Sequence, residues 1–169
     1  MPIVQVVQHL DPIPGIARQT AEIIVAEIGI DMSRFASAAH LAAWAGVAPG
    51  NDESAGKRRS GKTRKGDRAL GSALNQAAHA EARTKNTYLA AQYHRLAGRR
   101  GKKKAIMAVA HSILVIAYHL IQRQEDYREL GGDYFDKRRP EATANHLVKR
   151  LEALGYTVNI QSQTASVTA

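Results

Sequence analysis

The sequence predicts an all-α protein with a helix-hairpin-helix-like N-terminal part, a long basic loop, a buried central helix and a helical C-terminal tail that leaves room for one short strand. Three observations carry this. Hydrophobic residues make up 44% of the chain but aromatics only 5%, so the core volume comes from Ala, Ile, Leu and Val, a composition that suits helices. Apolar residues recur three and four apart over residues 16–28, 68–83 and 142–154, the spacing of one helix face. The length of 169 residues suits one compact body, because chains usually divide only above about 250 residues. The expected organisation is a main domain over 1–125, with the helix-hairpin-helix-like segment at 10–29, and an extension over 126–169.

Taken in order, the Pro14-Gly15 pair makes a tight turn, and Ile16 to Ile28 follows at helical spacing until Gly29 stops it. An apolar-Pro-Gly-apolar turn presents backbone N–H groups at a helix N-terminus, where free donors and the dipole suit a phosphate. On that reading Gly15, Ile16 and Arg18 touch a nucleic-acid backbone without reading bases. An ordinary helical hairpin closed by Gly uses the same residues. A short helix over Ala38 to Ala45 is expected to point Leu41 and Trp44 inward, Trp44 as core rather than as a platform for a base. From Asn51 to Asp67 apolar periodicity vanishes, which predicts a long polar loop; compact domains rarely keep one without a function.

Arg68 to Arg83 reads as a helix with Leu70, Ala73, Leu74, Ala77 and Ala78 on one face, and Tyr88 to Leu96 resumes after a break near Thr84 to Asn86. Ala105 to Ile121 is apolar nearly all round. At slightly under spanning length, and with His111, Ser112 and His119 inside it, it reads as a buried central helix rather than a membrane span. The two histidines are expected as satisfied core or interface residues, not metal ligands, since no third ligand stands at the right spacing. Beyond Asp126, Ala142 to Leu154 forms an amphipathic helix with Leu147, Val148, Leu151 and Leu154 on one side, a face for the core or for a partner chain. Tyr156 to Ile160 is the candidate strand, and Gln161 to Ala169 is expected to fray.

The charge is local. Of 24 Lys and Arg, thirteen lie in two stretches: Lys57, Arg58, Arg59, Lys62, Arg64, Lys65 and Arg68, then Arg95, Arg99, Arg100, Lys102, Lys103 and Lys104. Outside them eleven basic residues face fourteen acidic ones, so the net +9 belongs to the two stretches. Such concentration is a footprint for polyphosphate, above all DNA or RNA, with a solvated loop lacking any partner as the bland alternative. The chain has no Cys, which excludes disulfides, thiolate zinc sites and cysteine nucleophiles. No basic leader or cleavage site follows Met1, so the cytoplasm is the expected location.

Within the polar loop, Glu53-Ser54-Ala55-Gly56-Lys57 sets a hydroxyl between small neighbours and a run of cations. A serine attacking a phosphodiester needs that positive charge and that access, together with a base or metal to take its proton. Only the first two are visible, and a phosphate-binding loop needs no more.

Read together, Ile13-Pro-Gly-Ile16 with Thr20-Ala21, Ala26-Glu-Ile-Gly29, Phe35, Leu41-Ala-Ala-Trp44 with Gly46-Val-Ala-Pro49, Ser54-Ala-Gly-Lys57, Lys65-Gly66 and the Lys103 to Leu114 helix resemble the IS one-ten family of insertion-sequence transposases. The resemblance covers residues 10–125, and the Leu130-Gly-Gly-Asp-Tyr-Phe and Leu151-Glu-Ala-Leu-Gly-Tyr156 segments look like that family's C-terminal extensions. It implies the transposase domain that follows an N-terminal RuvC-like DEDD domain, with DNA cleavage and rejoining by a serine nucleophile and a structured noncoding RNA bridging two DNAs. Ser54 occupies the place of that serine. Magnesium or a similar divalent metal is implied only on the RuvC-like domain, with no cofactor in this chain. DNA, the RNA and further copies of the chain are the implied partners, and no membrane is. The family's Ser-Gly-Gly reads Ser54-Ala55-Gly56 here, its Gly-Asn reads Gly66-Asp67, and its Leu-Arg reads Leu70-Gly71. The chain also looks like a C-terminal fragment or truncated copy, inactive alone. A noncatalytic nucleic-acid-binding module and a dimerisation piece are the rival readings.

Overall fold

A computed structural model describes residues 2–50, 52–63 and 65–161, and of Asp52, Glu53, Arg58, Arg59 and Ser60 the backbone only. The fold is all-α, with eight α-helices and one small hairpin among the described residues. Helices α1 (Ile3–Leu10) and α2 (Arg18–Ile28) are joined by the Pro14-Gly15 turn, then come one 3-10 turn (Met32–Arg34) and α3 (Ala38–Trp44). Strands β1 (Asp52–Ser54) and β2 (Lys57–Ser60) form the hairpin. Helices α4 (Arg68–Glu81), α5 (Tyr88–Arg100) and α6 (Lys102–Arg123) complete a unit that runs to Asp133.

Helix α6 is the centre of that unit, packed on α1, α3, α4 and α5. It is 22 residues long, beyond the span legible in its apolar run, and long and apolar enough to cross a membrane by length and composition. Its Val109, Ile113, Leu114 and Ala117 are instead buried under the surrounding helices. Helix α4 turns Leu70, Ala73, Leu74, Ala77 and Ala78 inward as its periodicity predicts, while α2 buries Ala21, Ile24, Val25 and Ile28 and leaves Ala26 exposed.

Trp44 corrects the expectation of a core residue: it is 45% exposed and rests on Phe35 with ring centroids 5.8 Å apart. At about 100° per residue, the buried Leu41, Ala42 and Ala45 define an inward direction that leaves Trp44 on the flank. His111 and His119 are satisfied only in part: Nδ1 of each is buried without a partner among the described residues, although the Val47 backbone bonds the His111 ring. The segment Asp126 to Asp133, expected to start the extension, belongs to the first unit. His9 Nδ1 meets Asp126 at 2.5 Å, the Glu129 carboxylate accepts from the Tyr88 N–H at 2.7 Å, and the Gly132 N–H donates to the Asn86 carbonyl.

The second unit, from Tyr134 onward, holds α7 (Tyr134–Arg138) and α8 (Pro140–Ala153). Leu147, Leu151 and Leu154 lie exposed along α8 and its end. Tyr156 to Ile160 is irregular rather than a strand, and the second unit has no strand for it to pair with among the described residues. Residues 162–169 of the expected frayed end lie outside the described residues.

Glu81 is the one fully buried charged residue among those described. It accepts from the Thr87 hydroxyl, its second oxygen has no partner, and burial pushes its pKa up against the pull of Thr87 and Thr84. A raised folded-state pKa means a stability contribution that is complete below the unfolded-state value and is lost as pH rises through the folded one. Glu81→Gln keeps an acceptor for Thr87 and removes the titration. Melting curves between pH 4 and pH 8 should show the wild type losing a few °C relative to the variant at the alkaline end, the size of roughly a 1 kcal/mol change in a chain of this length. Parallel curves would exclude Glu81 as the source.

Candidate nucleic-acid interface

The segment expected as a structureless loop is an arm. Its strands pair antiparallel with Ser54 opposite Lys57, Glu53 opposite Arg58 and an irregularity between Asp52 and Glu53. The two linking residues, Ala55 (φ 52°) and Gly56 (φ 72°), are both left-handed, which is the type I′ geometry of a two-residue hairpin loop. No apolar alternation announced these strands: Asp-Glu-Ser and Lys-Arg-Arg-Ser contain no apolar residue. Ala55 carries strain of about 1 kcal/mol in that conformation, which glycine would not.

Close backbone contacts plant the arm on the domain. A Cβ at Gly50 would collide with the Lys62 backbone across the stem, and one at Gly66 with the Ala45-Gly46 backbone at the end of α3. Asp67 then caps α4 by accepting from the Leu70 N–H at 2.7 Å. Gly-rich spacing around the basic run is therefore a demand for close approach, not slack.

Ser54 stands exposed at the tip of the arm, and no described residue hydrogen-bonds its hydroxyl. Lys57, its cross-strand partner, is a directly opposed neighbour, with Cβ atoms about 5 Å apart in such pairs. One ammonium thus accompanies the hydroxyl by register alone. Lys65 and Lys62 follow in the stem, while Arg64 lies outside the described residues, as do the side chains of Arg58 and Arg59. Among the described residues no three His, Asp or Glu come together.

Two grooves meet at Val47 and Met107, and they join basic stretches some forty residues apart in sequence. One, of about 590 Å³, runs between the stem at Gly61 and Thr63 and the α5–α6 corner at Arg100 and Lys104. The other, of about 560 Å³, is lined by Lys65 and Arg68 beside Gly71 and Asn75 of α4. Gly101, at φ 84°, turns the chain between α5 and α6, so Arg99 and Arg100 end one helix where Lys102, Lys103 and Lys104 begin the next. Three lysines and no acid in a first helical turn oppose the dipole, a local conflict that a bound anion would relieve.

The proline-glycine turn is placed differently. A Cβ on Gly15 would lie 2.5 Å from the Ala77 carbonyl oxygen, so the turn packs on α4. The Ile16 side chain is buried and its N–H donates to the Ile13 carbonyl, which removes it from the donors open to a phosphate. Arg18 is exposed but paired with Glu22 at 3.0 Å.

Gly71 lines the second groove. Gly71→Arg should tighten duplex binding and steepen the log–log salt slope by about 0.9, one further phosphate neutralised. Salt titrations of both proteins on one duplex measure this, and an unchanged slope would remove Gly71 from the interface.

No curated protein matches the chain. Residues 7–95, more than half of it and inclusive of the arm and both sides of the second groove, match the family described as Transposase IS116/IS110/IS902 family. The chain belongs to that transposase family.

Proposed function

We propose that this chain is the transposase domain that holds DNA and a structured guide RNA along its basic arm and grooves and supplies Ser54 as nucleophile for strand cleavage and rejoining. The observation that supports it is the exposed Ser54 at the tip of a two-residue hairpin whose register sets Lys57 beside it. In the step so proposed, a bond forms between Ser54 Oγ and phosphorus as the bridging P–O bond breaks; the Ser54 hydroxyl gives up its proton to solvent, and the departing sugar oxygen takes one from solvent in its place. Lys57 offsets charge on the phosphoryl oxygens. The metal expected from the family resemblance would sit on a RuvC-like domain and not on this chain. The exposed leucines of α8 support assembly with further copies. The rival reading, a noncatalytic binding module, draws on the Ser54 hydroxyl having no base beside it among the described residues.

The binding half is tested by salt. If five of the clustered basic residues contact duplex phosphates, affinity should fall with a log–log slope of about −4 to −5. Lys57→Ala, Arg58→Ala and Arg59→Ala together should lower affinity without lowering the melting temperature, because charges in a polar segment without apolar residues contribute little to stability. A flat salt response would remove the nucleic-acid reading. The chemical half is tested by mapping the covalent protein–DNA adduct, which should fall on the peptide containing Ser54.

A further inference from the structure

The groove between α5, α6 and the stem of the arm differs from a surface built to carry duplex phosphates. Two exposed cations, Arg100 and Lys104, line it together with the apolar Val47, Pro49, Met107 and Ala108. Its volume of about 590 Å³ lies in the range of about 300–1,000 Å³ typical of pockets that enclose small ligands. Duplex backbones are held by charges on convex or flat surfaces and need no apolar recess, whereas an unstacked base does.

We infer that this groove receives one unpaired nucleotide of a single-stranded segment, its base against the Met107 and Val47 wall and its phosphate at Arg100 and Lys104. The inference rests on the nucleic-acid reading above and goes beyond it in naming the strand state. Two flat groups border the recess, the Arg100 guanidinium and the His111 imidazole, both surfaces on which bases stack. Burial lowers the His111 pKa while the Val47 backbone acts in the opposite direction, so the ring offers a neutral face rather than a second phosphate contact. Gln92 and Ser112, bonded to each other at 2.9 Å, fix the floor by tying α5 to α6. The adjoining groove continues from the shared Val47 and Met107 toward Lys65 and Arg68, which gives the next phosphates of the strand a path.

The test compares two fluorescent hexamers of equal charge, oligodeoxyadenylate and its abasic analogue, by anisotropy at one salt concentration. The full-length chain should bind the adenylate tighter by roughly 5-fold or more, the effect of stacking a single base. Ala108→Leu, which fills the recess without altering charge, should bring the adenylate down to the abasic affinity, and an unshifted melting temperature shows that the variant folds. Arg100→Lys, which keeps the charge and loses the plane, should lower the ratio of adenylate to abasic affinity. Equal affinity of the two hexamers for the wild type overturns the pocket and leaves the nucleic-acid reading standing. Binding of neither hexamer nor duplex at low salt overturns both.

Discussion

Ser54→Ala, assembled with a RuvC-like domain, divalent metal, guide RNA and DNA, should lose strand cleavage by roughly 10⁴-fold or more, the scale on which removal of a nucleophile is felt. DNA binding should be nearly unchanged, since one exposed hydroxyl at the arm tip leaves every neighbouring cation in place. Ser60→Ala is the internal control. Ser60 lies in the same arm among the same basic residues but pairs with Asp52 at the base of the hairpin, away from the two-residue turn, and it should tolerate the change. The covalent adduct should vanish from the Ser54 variant and persist in the Ser60 variant. Cleavage by the Ser54 variant, or an adduct on Ser60 or a tyrosine, would transfer the chemistry to another residue without disturbing family membership.

How much of this was legible in the sequence depends on whether one helix face was buried alone. Helix α4 was, because its five inward apolar positions contrast with polar neighbours on the same helix. The centre of α6 was, because few residues in it are polar, although its true ends at Lys102 and Arg123 were not: lysine gives no apolar signal and Gly101 is the only punctuation. The hairpin was invisible, since strand alternation is read from apolar residues and these strands contain none. Trp44 misled because spacing from Leu41 alone suggests an inward face, while the small residues Ala42 and Ala45 set the true one. Ser54 and the basic stretches could be named from composition and from family likeness. That Arg100 and Lys104 share a groove with the arm's stem could not, because their meeting is made by the turn at Gly101 and the packing of α6 on α3.

Gly66→Ala should be the most damaging single methyl in the arm's support. The added Cβ would fall against the carbonyl carbon of Ala45 and the nitrogen of Gly46, backbone atoms that cannot swing aside as a side-chain end can. Relief requires moving the stem off the end of α3, where Ala45 and Val47 are buried in the core. Overpacking against well-set neighbours costs about 1–3 kcal/mol, or roughly 2–12 °C of melting temperature in a chain of this length. Gly71→Ala gives the contrast within five residues of sequence. Its Cβ would meet nothing nearer than the Ala45 carbonyl oxygen at 3.8 Å, and replacing a glycine inside helix α4 should raise stability by about 0.5–1 kcal/mol. Thermal melts of the two variants should therefore move in opposite directions. Gly66→Ala should also weaken oligonucleotide binding more than its melting shift explains, because Lys65 and Arg68, which flank it, line the second groove. A Gly66 variant that melts like the wild type would mean that the arm is not anchored by this contact, and that the groove beneath it owes its shape to something else.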